Sequence, residues 1–402
     1  MPLVTRSEDF NDVVINLSNL VNNYKVLSEF AQRPLMCVIK GDAYGHGLVD
    51  CARALVDAGA TSFGVLDVTE GETLRKAGIR NPEIYVLSGL DTELMVARAI
   101  NNRLTIYSYS MDELALLGSQ ARRSSSPLNV VLKIDSGMGR LGVPWHQADD
   151  FIKKALEFSS LKVVGLATHL ATVGDKESVT QLEHFWDFCT KAEYLLNTPL
   201  QNSALSGAGI LAHPRYPDGL SRPGLILYGV PPLVDLDRTY LLPAPWLNSP
   251  KAPVFRVSSE KVAQVLSSLK PVMRVTSRVI QVKSLRKGDT VSYERTYTAP
   301  NTTKIAIVPF GFVHGFDINL SGRTHALIRG QFARQIGKIC MNLSVFEVKD
   351  IPGVATGDEV VFLGSQKDKN LDAYLEFEGR TEHPHQVLCL YGRLNVRRCI
   401  RS

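Results

Sequence analysis

Three short segments place cations where polar chemistry could be done. In Val38-Ile39-Lys40-Gly41-Asp42-Ala43-Tyr44-Gly45-His46-Gly47 a lysine ends an apolar run and a glycine-rich loop opens beyond it. At the C-terminal end of a parallel strand, a partly desolvated lysine has a lowered pKa. It can then serve as a Schiff-base amine or a proton-transfer base. The plainer alternative is a lysine that snorkels from a strand end beside a tight turn. In Leu132-Lys133-Ile134-Asp135-Ser136-Gly137-Met138-Gly139-Arg140-Leu141-Gly142 another apolar run meets a glycine-rich loop. Arg140 there either aims donors at an anionic oxygen or bonds local carbonyls. In Ser221-Arg222-Pro223-Gly224-Leu225-Ile226-Leu227-Tyr228-Gly229, a backbone N–H beside Gly224 could face a phosphate. Ser206-Gly207-Ala208-Gly209 is a small-residue turn at a candidate helix start, a second anion cradle. Thr168-His169 ends one more apolar run, where a hydrogen-bonded structural histidine is the plainer reading.

These residues need elements to position them. Up to about residue 228, short apolar runs alternate with amphipathic stretches. The runs are Leu35–Ile39, Ser62–Leu66, Ile84–Leu87, Leu104–Tyr107, Val130–Ile134, Val163–Leu166 and Leu225–Leu227. Near-continuous apolarity over four or five residues suits strands covered on both faces. Between them, Leu48, Cys51, Ala52, Leu55 and Val56 share one helical face, with Gly59 as a stop. After the Ile84–Leu87 run, Asp91 or Thr92 is placed to cap a helix over ELMVARAI. Alternating β and α units predict a parallel sheet, either a barrel or a doubly wound fold. From about residue 230, Pro231, Pro232, Pro243, Pro245 and Pro250 mark a linker, and β-branched runs separated by turns follow without long helical patterns. That second half reads as a mainly-β domain.

Composition narrows the classes. In 402 residues, 45 Lys+Arg against 40 Asp+Glu leave a formal charge of +5, with no long basic run, so nucleic acid is not an expected partner. Six scattered cysteines form no C-x-x-C and no metal-ligand spacing with histidine, so they read as reduced thiols and no metal is expected. The start, MPLVTRSEDFNDVV, carries acidic residues before any apolar stretch, and no run of about 18 apolar residues occurs. The expectation is a soluble cytoplasmic protein with no membrane partner.

Taken together, the segments resemble the pyridoxal-phosphate-dependent alanine racemases of fold type III. KGDAYGHG looks like that family's cofactor-lysine motif, KIDSGMGRLG like its second and SRPGLILYG like its third. VSYERTYTA and GKICMN fall in the family's order within the β region, and the likeness covers roughly residues 12–400. The resemblance implies a (β/α)8 TIM-like barrel over residues 11–245. A C-terminal mainly-β domain over 246–402 would include residues 1–10. It implies a homodimer with shared active sites, acting on a small amino acid and supplying D-alanine for peptidoglycan. Lys40 would hold pyridoxal 5'-phosphate as an imine and act as base on one face of the substrate Cα. Tyr293, from the other subunit, would be the base on the opposite face. Arg222 would face the pyridine nitrogen as a pure donor, supported by His169. Arg140 would meet the cofactor's phenolic oxygen and the substrate, Lys133 would be open to carbamylation, and the Met341 N–H would bind the substrate carboxylate. Tyr44, Ser206 or Gly207, Gly224, Leu225 and His385 would surround the phosphate. From the residues alone, Tyr293 reads as an aromatic in an alternating strand and Met341 as β-core packing.

Several positions depart from the family pattern. Phe312 replaces a tyrosine, His314 and Asn342 replace aspartates, Gly207 stands where a serine is common, His385 replaces a tyrosine, and Ile318 falls near a frequent arginine. They fall on the phosphate cup and the substrate gate. A racemase of serine or of broader specificity, and a non-catalytic carrier of the cofactor, are the alternatives.

Overall fold

The computed structural model describes residues 10–124, 127–232, 259–374, 376–377, 380–381 and 383–401. The chain divides into two compact units. One comprises Leu20–Ala43 and Leu48–Lys270; the other comprises Met1–Asn19, Tyr44–Gly47 and Pro271–Ser402.

The first unit is the barrel. Parallel strands Met36–Val38, Ser62–Val65, Glu83–Val86, Thr105–Ser108, Leu128–Asp135 and Leu161–Ala167 lie side by side in chain order. Their residues are almost all buried, as strands covered on both faces require. Helices Leu48–Asp57, Val68–Lys76, Glu93–Asn101, Met111–Arg123, Ala148–Leu156 and Lys176–Leu196 follow them in turn. Thr92, not Asp91, caps Glu93–Asn101, its side chain accepting from the Met95 N–H at 3.2 Å. The ring closes through single parallel bridges, Ala167 to Ser203, Ser206 to Arg222 and Ser221 to Leu35. Two short segments therefore complete the eight staves. Inside, Met36, Tyr85, Tyr107, Val131, Ala167 and Leu220 pack as one cluster, so the centre is filled.

One expected strand is not a strand. Leu225–Tyr228 forms a 3-10 turn, and the stave lies just upstream, around Ser221 and Arg222. Pro223 offers no N–H to continue a ladder, and Gly224 turns the chain with φ −117° and ψ −101°.

The second unit is built on a ten-stranded sheet. Its path runs Gln281–Leu285, Thr303–Val308, Ser344–Glu347, Gln331–Gln335, His325–Ile328, Glu359–Gln366, Met273–Arg278, Asp12–Asn16 and Arg397–Ile400, with Lys369–Leu371 beside Glu359–Gln366. All pairs are antiparallel except Asp12–Asn16 with Arg397–Ile400. Phe310, Phe316, Phe346, Phe362 and Tyr391 form its aromatic core, with Phe310 stacked 4.1 Å from Phe362.

Residues 12–16, expected in the barrel, thus belong to this sheet, where the alternating burial of DVVIN is met by a partner on each side. Helix Ser259–Ser268, expected in the β domain, groups with the barrel. The expected boundary at 245/246 and Pro243, Pro245 and Pro250 lie outside the described residues. Helix Pro384–Arg393 is an addition to the mainly-β expectation, which named no helix here: Pro384 opens it, and Val387, Leu388 and Tyr391 form its buried stripe. Among the described residues, no helix is long and apolar enough to cross a membrane.

Candidate active site

In the barrel unit the backbone bends sharply beyond the buried strand Met36–Val38. Gly41, Asp42 and Ala43 all adopt left-handed conformations, with φ of 66°, 58° and 54°, and Tyr44 continues at 53°. Each L-residue held this way costs roughly 1–2 kcal/mol. Such strain persists only where surrounding bonds over-determine it, and it concentrates at functional sites. Half-buried Lys40 stands at the start of this turn.

Strand Leu128–Asp135 delivers the second segment. Lys133 is buried, and its ammonium is held well below the ordinary lysine range. Desolvation is the main cause, reinforced by Arg222 and Arg140 and opposed by Asp135. Asp135 organises the glycine loop beyond. Its Oδ1 accepts from the N–H groups of Gly137, Met138 and Gly139 at 3.0, 2.8 and 3.1 Å, and its Oδ2 from that of Arg140 at 3.1 Å. Partial burial works against its ionisation, but those four bonds prevail and hold the carboxyl below its usual value. Arg140 is exposed at the loop's end.

Arg222 is the third cation, 7% exposed. One guanidinium nitrogen donates to the Ser203 hydroxyl; the other donates to the Thr168 carbonyl at 2.6 Å and the Ala204 carbonyl at 3.2 Å, and meets His169 Nδ1 at 3.4 Å. Since Arg222 can only donate, Nδ1 is the acceptor and the imidazole proton sits on Nε2. Burial first, then Arg222, Lys133, Arg140 and Lys40, push the His169 pKa down to about 2, so the ring is neutral. Behind Arg222, buried Asp218 accepts from Ala204 N–H at 2.6 Å and Ser221 Oγ at 2.7 Å, pinning the stave that carries the arginine.

Ser206 caps helix Gly207–Ala212, accepting from the Gly209 N–H at 3.5 Å. A Cβ at Gly207 would lie 2.7 Å from Ile226 Cγ2, so a serine there would crowd that side chain. Gly224 precedes the 3-10 turn Leu225–Tyr228, whose opening N–H groups, beginning with that of Leu225, have no acceptor within the turn.

The second unit holds the remaining residues. Gly45 and Gly392 approach so closely that a Cβ on Gly392 would lie 1.8 Å from the Gly45 carbonyl oxygen. This seats Tyr44 against His385, ring centroids 5.5 Å apart. His385 Nδ1 meets His383 Nδ1 at 3.0 Å, and the Tyr44 phenol is pushed up, chiefly by burial. Tyr293 is not in a strand. It lies in a 3-10 turn between Ser292 and Glu294, both at positive φ (64° and 59°), and is 68% exposed. Met341 is 57% exposed rather than packed in the core. The two are tied: Ser292 Oγ donates to the Lys338 carbonyl at 2.6 Å and touches Cys340 Sγ at 3.2 Å, and Lys338 pairs with Glu294. Phe312 and Val313 donate backbone N–H groups to Cys340 and Met341 carbonyls, both at 3.1 Å, so Phe312 joins the same group of loops. His314 Nδ1 accepts the Gly311 N–H at 3.1 Å, a local role that the replaced aspartate position did not suggest. Asn342 and Ile318 are exposed.

In one unit Arg222 contacts His169, with Lys133, Arg140 and Lys40 close enough to lower the pKa of its ring; in the other, Tyr293, Met341 and Phe312 lie on linked loops. Sequence reasoning missed Asp218 as an anchor and Asp135 as the loop's organiser. Only the acidic residue heading a glycine-rich loop was available as a signal for the latter.

Comparison with known proteins agrees over the whole chain. The profile described as "Alanine racemase, N-terminal domain" matches residues 15–232, and "Alanine racemase, C-terminal domain" matches residues 272–399. The alanine racemase of Syntrophobacter fumaroxidans is 32% identical over 389 residues, 95% of either chain. That of Clostridium perfringens is 31% identical over 384 residues, 94% of this chain and 92% of that one. Among solved structures, the alanine racemase from D-cycloserine-producing Streptomyces lavendulae superposes with a TM-score of 0.83 at 26% identity, covering 99% and 98% of the two chains. The Bartonella henselae alanine racemase, a structure with covalently bound pyridoxal phosphate, shares the fold at TM-score 0.79 and 21% identity, over 98% of this chain and 100% of that one. With both domain profiles matched in order over most of its length, the chain belongs to the alanine racemase family.

Proposed function

We propose that the chain interconverts L- and D-alanine with Lys40 and Tyr293 as bases on opposite faces of the substrate, Tyr293 being supplied by a second copy. The reaction class and cofactor are those of the family: a pyridoxal-phosphate-dependent racemase. The observation that supports the residue assignment is the contact of Arg222 with His169 Nδ1 at 3.4 Å, with Lys133, Arg140 and Lys40 near enough to lower the pKa of that ring. Positive charge from Lys40, Arg140 and Arg222 suits a phosphate-bearing anion, and the N–H donors at Gly224–Leu225 suit its phosphate; the family resemblance adds the Tyr44 hydroxyl. Bound at Lys40, pyridoxal phosphate supplies an electron sink that acidifies the substrate Cα–H.

The chain's own groups do the rest. Lys40 takes the Cα proton on one face while Tyr293 donates from the other, and the roles exchange for the reverse direction. Arg222, locked by carbonyls and His169, offers a ring nitrogen hydrogen bonds but no transferable proton. The Met341 N–H holds the substrate carboxylate, with Arg140 beside it. Lys133, a buried amine whose pKa is held well below the ordinary lysine range, can attack CO2 in its neutral form. The N–C bond forms, one proton leaves, and the resulting carbamate anion orients Arg140. Ser206 and Gly207 would flank the phosphate, and the family resemblance puts His385 at the position of the usual tyrosine. The exposed Tyr293, Met341 and Phe312 on linked loops form a surface that a second copy would cover, which supports a homodimer. A cytoplasmic setting and supply of D-alanine for peptidoglycan complete this reading.

The test is purified protein with pyridoxal phosphate and a panel of L-amino acids, followed by chiral analysis. D-alanine should form fastest. A visible cofactor band without D-alanine would refute the alanine assignment. Lys40→Ala should abolish that band, while Tyr293→Phe should keep the band and lower kcat by roughly 10²–10⁴-fold, the usual worth of a positioned proton donor.

A further inference from the structure

We propose that Glu70 is a positioning residue for Lys40, its carboxylate clamping the left-handed turn that aims the amine. The inference rests on the reading of Lys40 as the cofactor lysine and goes beyond it to what holds that lysine in place.

Positive φ runs from Gly41 through Gly45 after Lys40, and Ala43 has no polar side chain to compensate for its conformation. The bonds that oppose relaxation can be named. The Ala43 N–H donates to the Ile39 carbonyl at 2.8 Å. Asp42 Oδ1 accepts from the Leu48 N–H at 2.7 Å, joining the turn to the next helix. The Asp42 N–H donates to Glu70 Oε1 at 2.9 Å, and the Leu66 N–H donates to Glu70 Oε2 at 2.8 Å. Leu66 directly follows strand Ser62–Val65, the neighbour of the strand leading to Lys40. One carboxylate therefore fastens the ends of two adjacent staves together.

Glu70 is itself held. It sits in the first turn of helix Val68–Lys76, and its N–H donates to the capping Asp67 Oδ1 at 3.0 Å. A glutamate at that position ordinarily folds back to the N-cap N–H. Here it reaches past the cap to Leu66 and Asp42, so both acceptor oxygens serve the ends of neighbouring staves and none serves its own helix. Without it, the Asp42 N–H loses a charged acceptor and the turn is free to relax toward right-handed geometry, redirecting the Lys40 side chain.

The experiment compares Glu70→Ala, Glu70→Gln and Glu70→Ala/Ala43→Gly with the parent holoenzyme. Readouts are steady-state kinetics with L-alanine, the pH titration of the visible cofactor band, and borohydride-fixed cofactor on the Lys40 peptide. Misplacement of a reacting group by about an ångström costs on the order of 10²-fold, so Glu70→Ala should lose about that in kcat with a smaller change in KM. The pH midpoint of the band should move as well. Glu70→Gln, keeping one carbonyl oxygen, should fall between. Ala43→Gly should restore part of the loss, because glycine adopts positive φ without cost. Thr92→Ala, which removes the cap of helix Glu93–Asn101, controls for general destabilisation and should leave the band titration unchanged. If the parent shows no fixed cofactor on Lys40, the reading of Lys40 fails. If the parent is labelled there and Glu70→Ala matches it in kcat and titration, the role of Glu70 alone is refuted.

Discussion

Half-buried His169 and buried His213 are two imidazoles kept neutral for different ends. His169 accepts from Arg222, and burial first, then the neighbouring basic side chains, bring its pKa down to about 2. His213 meets Ser178 Oγ at 3.0 Å, and burial lowers its pKa to about 4 against a small opposing pull from Asp175. In the unfolded chain both titrate near 6.5. Below that pH the unfolded state binds protons that the folded state refuses, so stability falls as pH falls. The window is about 6.5 to 4 for His213 and extends to about 2 for His169. With both active the slope approaches about 2.7 kcal/mol per pH unit, two protons at about 1.4 each. Urea midpoints at about pH 7 and pH 5 check it: the midpoint should drop, and His213→Gln should remove about half of the drop. Equal midpoints at the two pH values would show that neither ring is held neutral. Lys133 belongs to the same scale. If its carbamate orients Arg140, removing dissolved CO2 should lower kcat and bicarbonate should restore it, while Lys133→Met should be insensitive to both. A parent rate indifferent to bicarbonate would refute the carbamate.

At the scale of elements, Gly207 shows how packing bears on a departure from the family pattern. Restoring the common serine should not improve phosphate binding. Its Cβ would press on Ile226 Cγ2 at 2.7 Å, at the base of the turn that carries Gly224 and Leu225. Overpacking of this kind costs about 1–3 kcal/mol, so Gly207→Ser should lower the melting temperature and weaken cofactor retention on dialysis. Tighter retention would show that the turn yields at no cost. The barrel's strands were legible because burial on both faces writes a near-continuous apolar run. Its last two staves were not, because the bridged residues, Ser203, Ser206, Ser221 and Arg222, are polar and write no apolar run, and Pro223 and Gly224 turn the apolar segment Leu225–Leu227 into a 3-10 turn. Tyr293 was legible as a residue only through its motif. The period-two pattern around it suggested a strand, whereas Ser292 and Glu294 at positive φ lift it onto a turn. Helix Pro384–Arg393 did carry a signal, a proline start and a 3-4 spaced apolar stripe, which the surrounding β-rich sequence masked.

For the whole molecule, the decisive question is whether the two bases of one site come from one chain. Lys40 belongs to the barrel unit and Tyr293 to the β unit, and Tyr293 stands 68% exposed on its own chain. If each site is shared between copies, Lys40→Ala and Tyr293→Phe proteins are each nearly inactive alone yet complementary. Mixed under conditions that exchange subunits, random pairing makes about half the dimers hybrid. A hybrid places both substitutions in one site and leaves the other intact, so about a quarter of the parent's sites should return. A site built within one chain gives a different result, since every protomer in the mixture lacks one base and no activity returns at any ratio. Sedimentation of the mixture establishes that hybrids form, and the recovered rate then reports which copy supplies Tyr293.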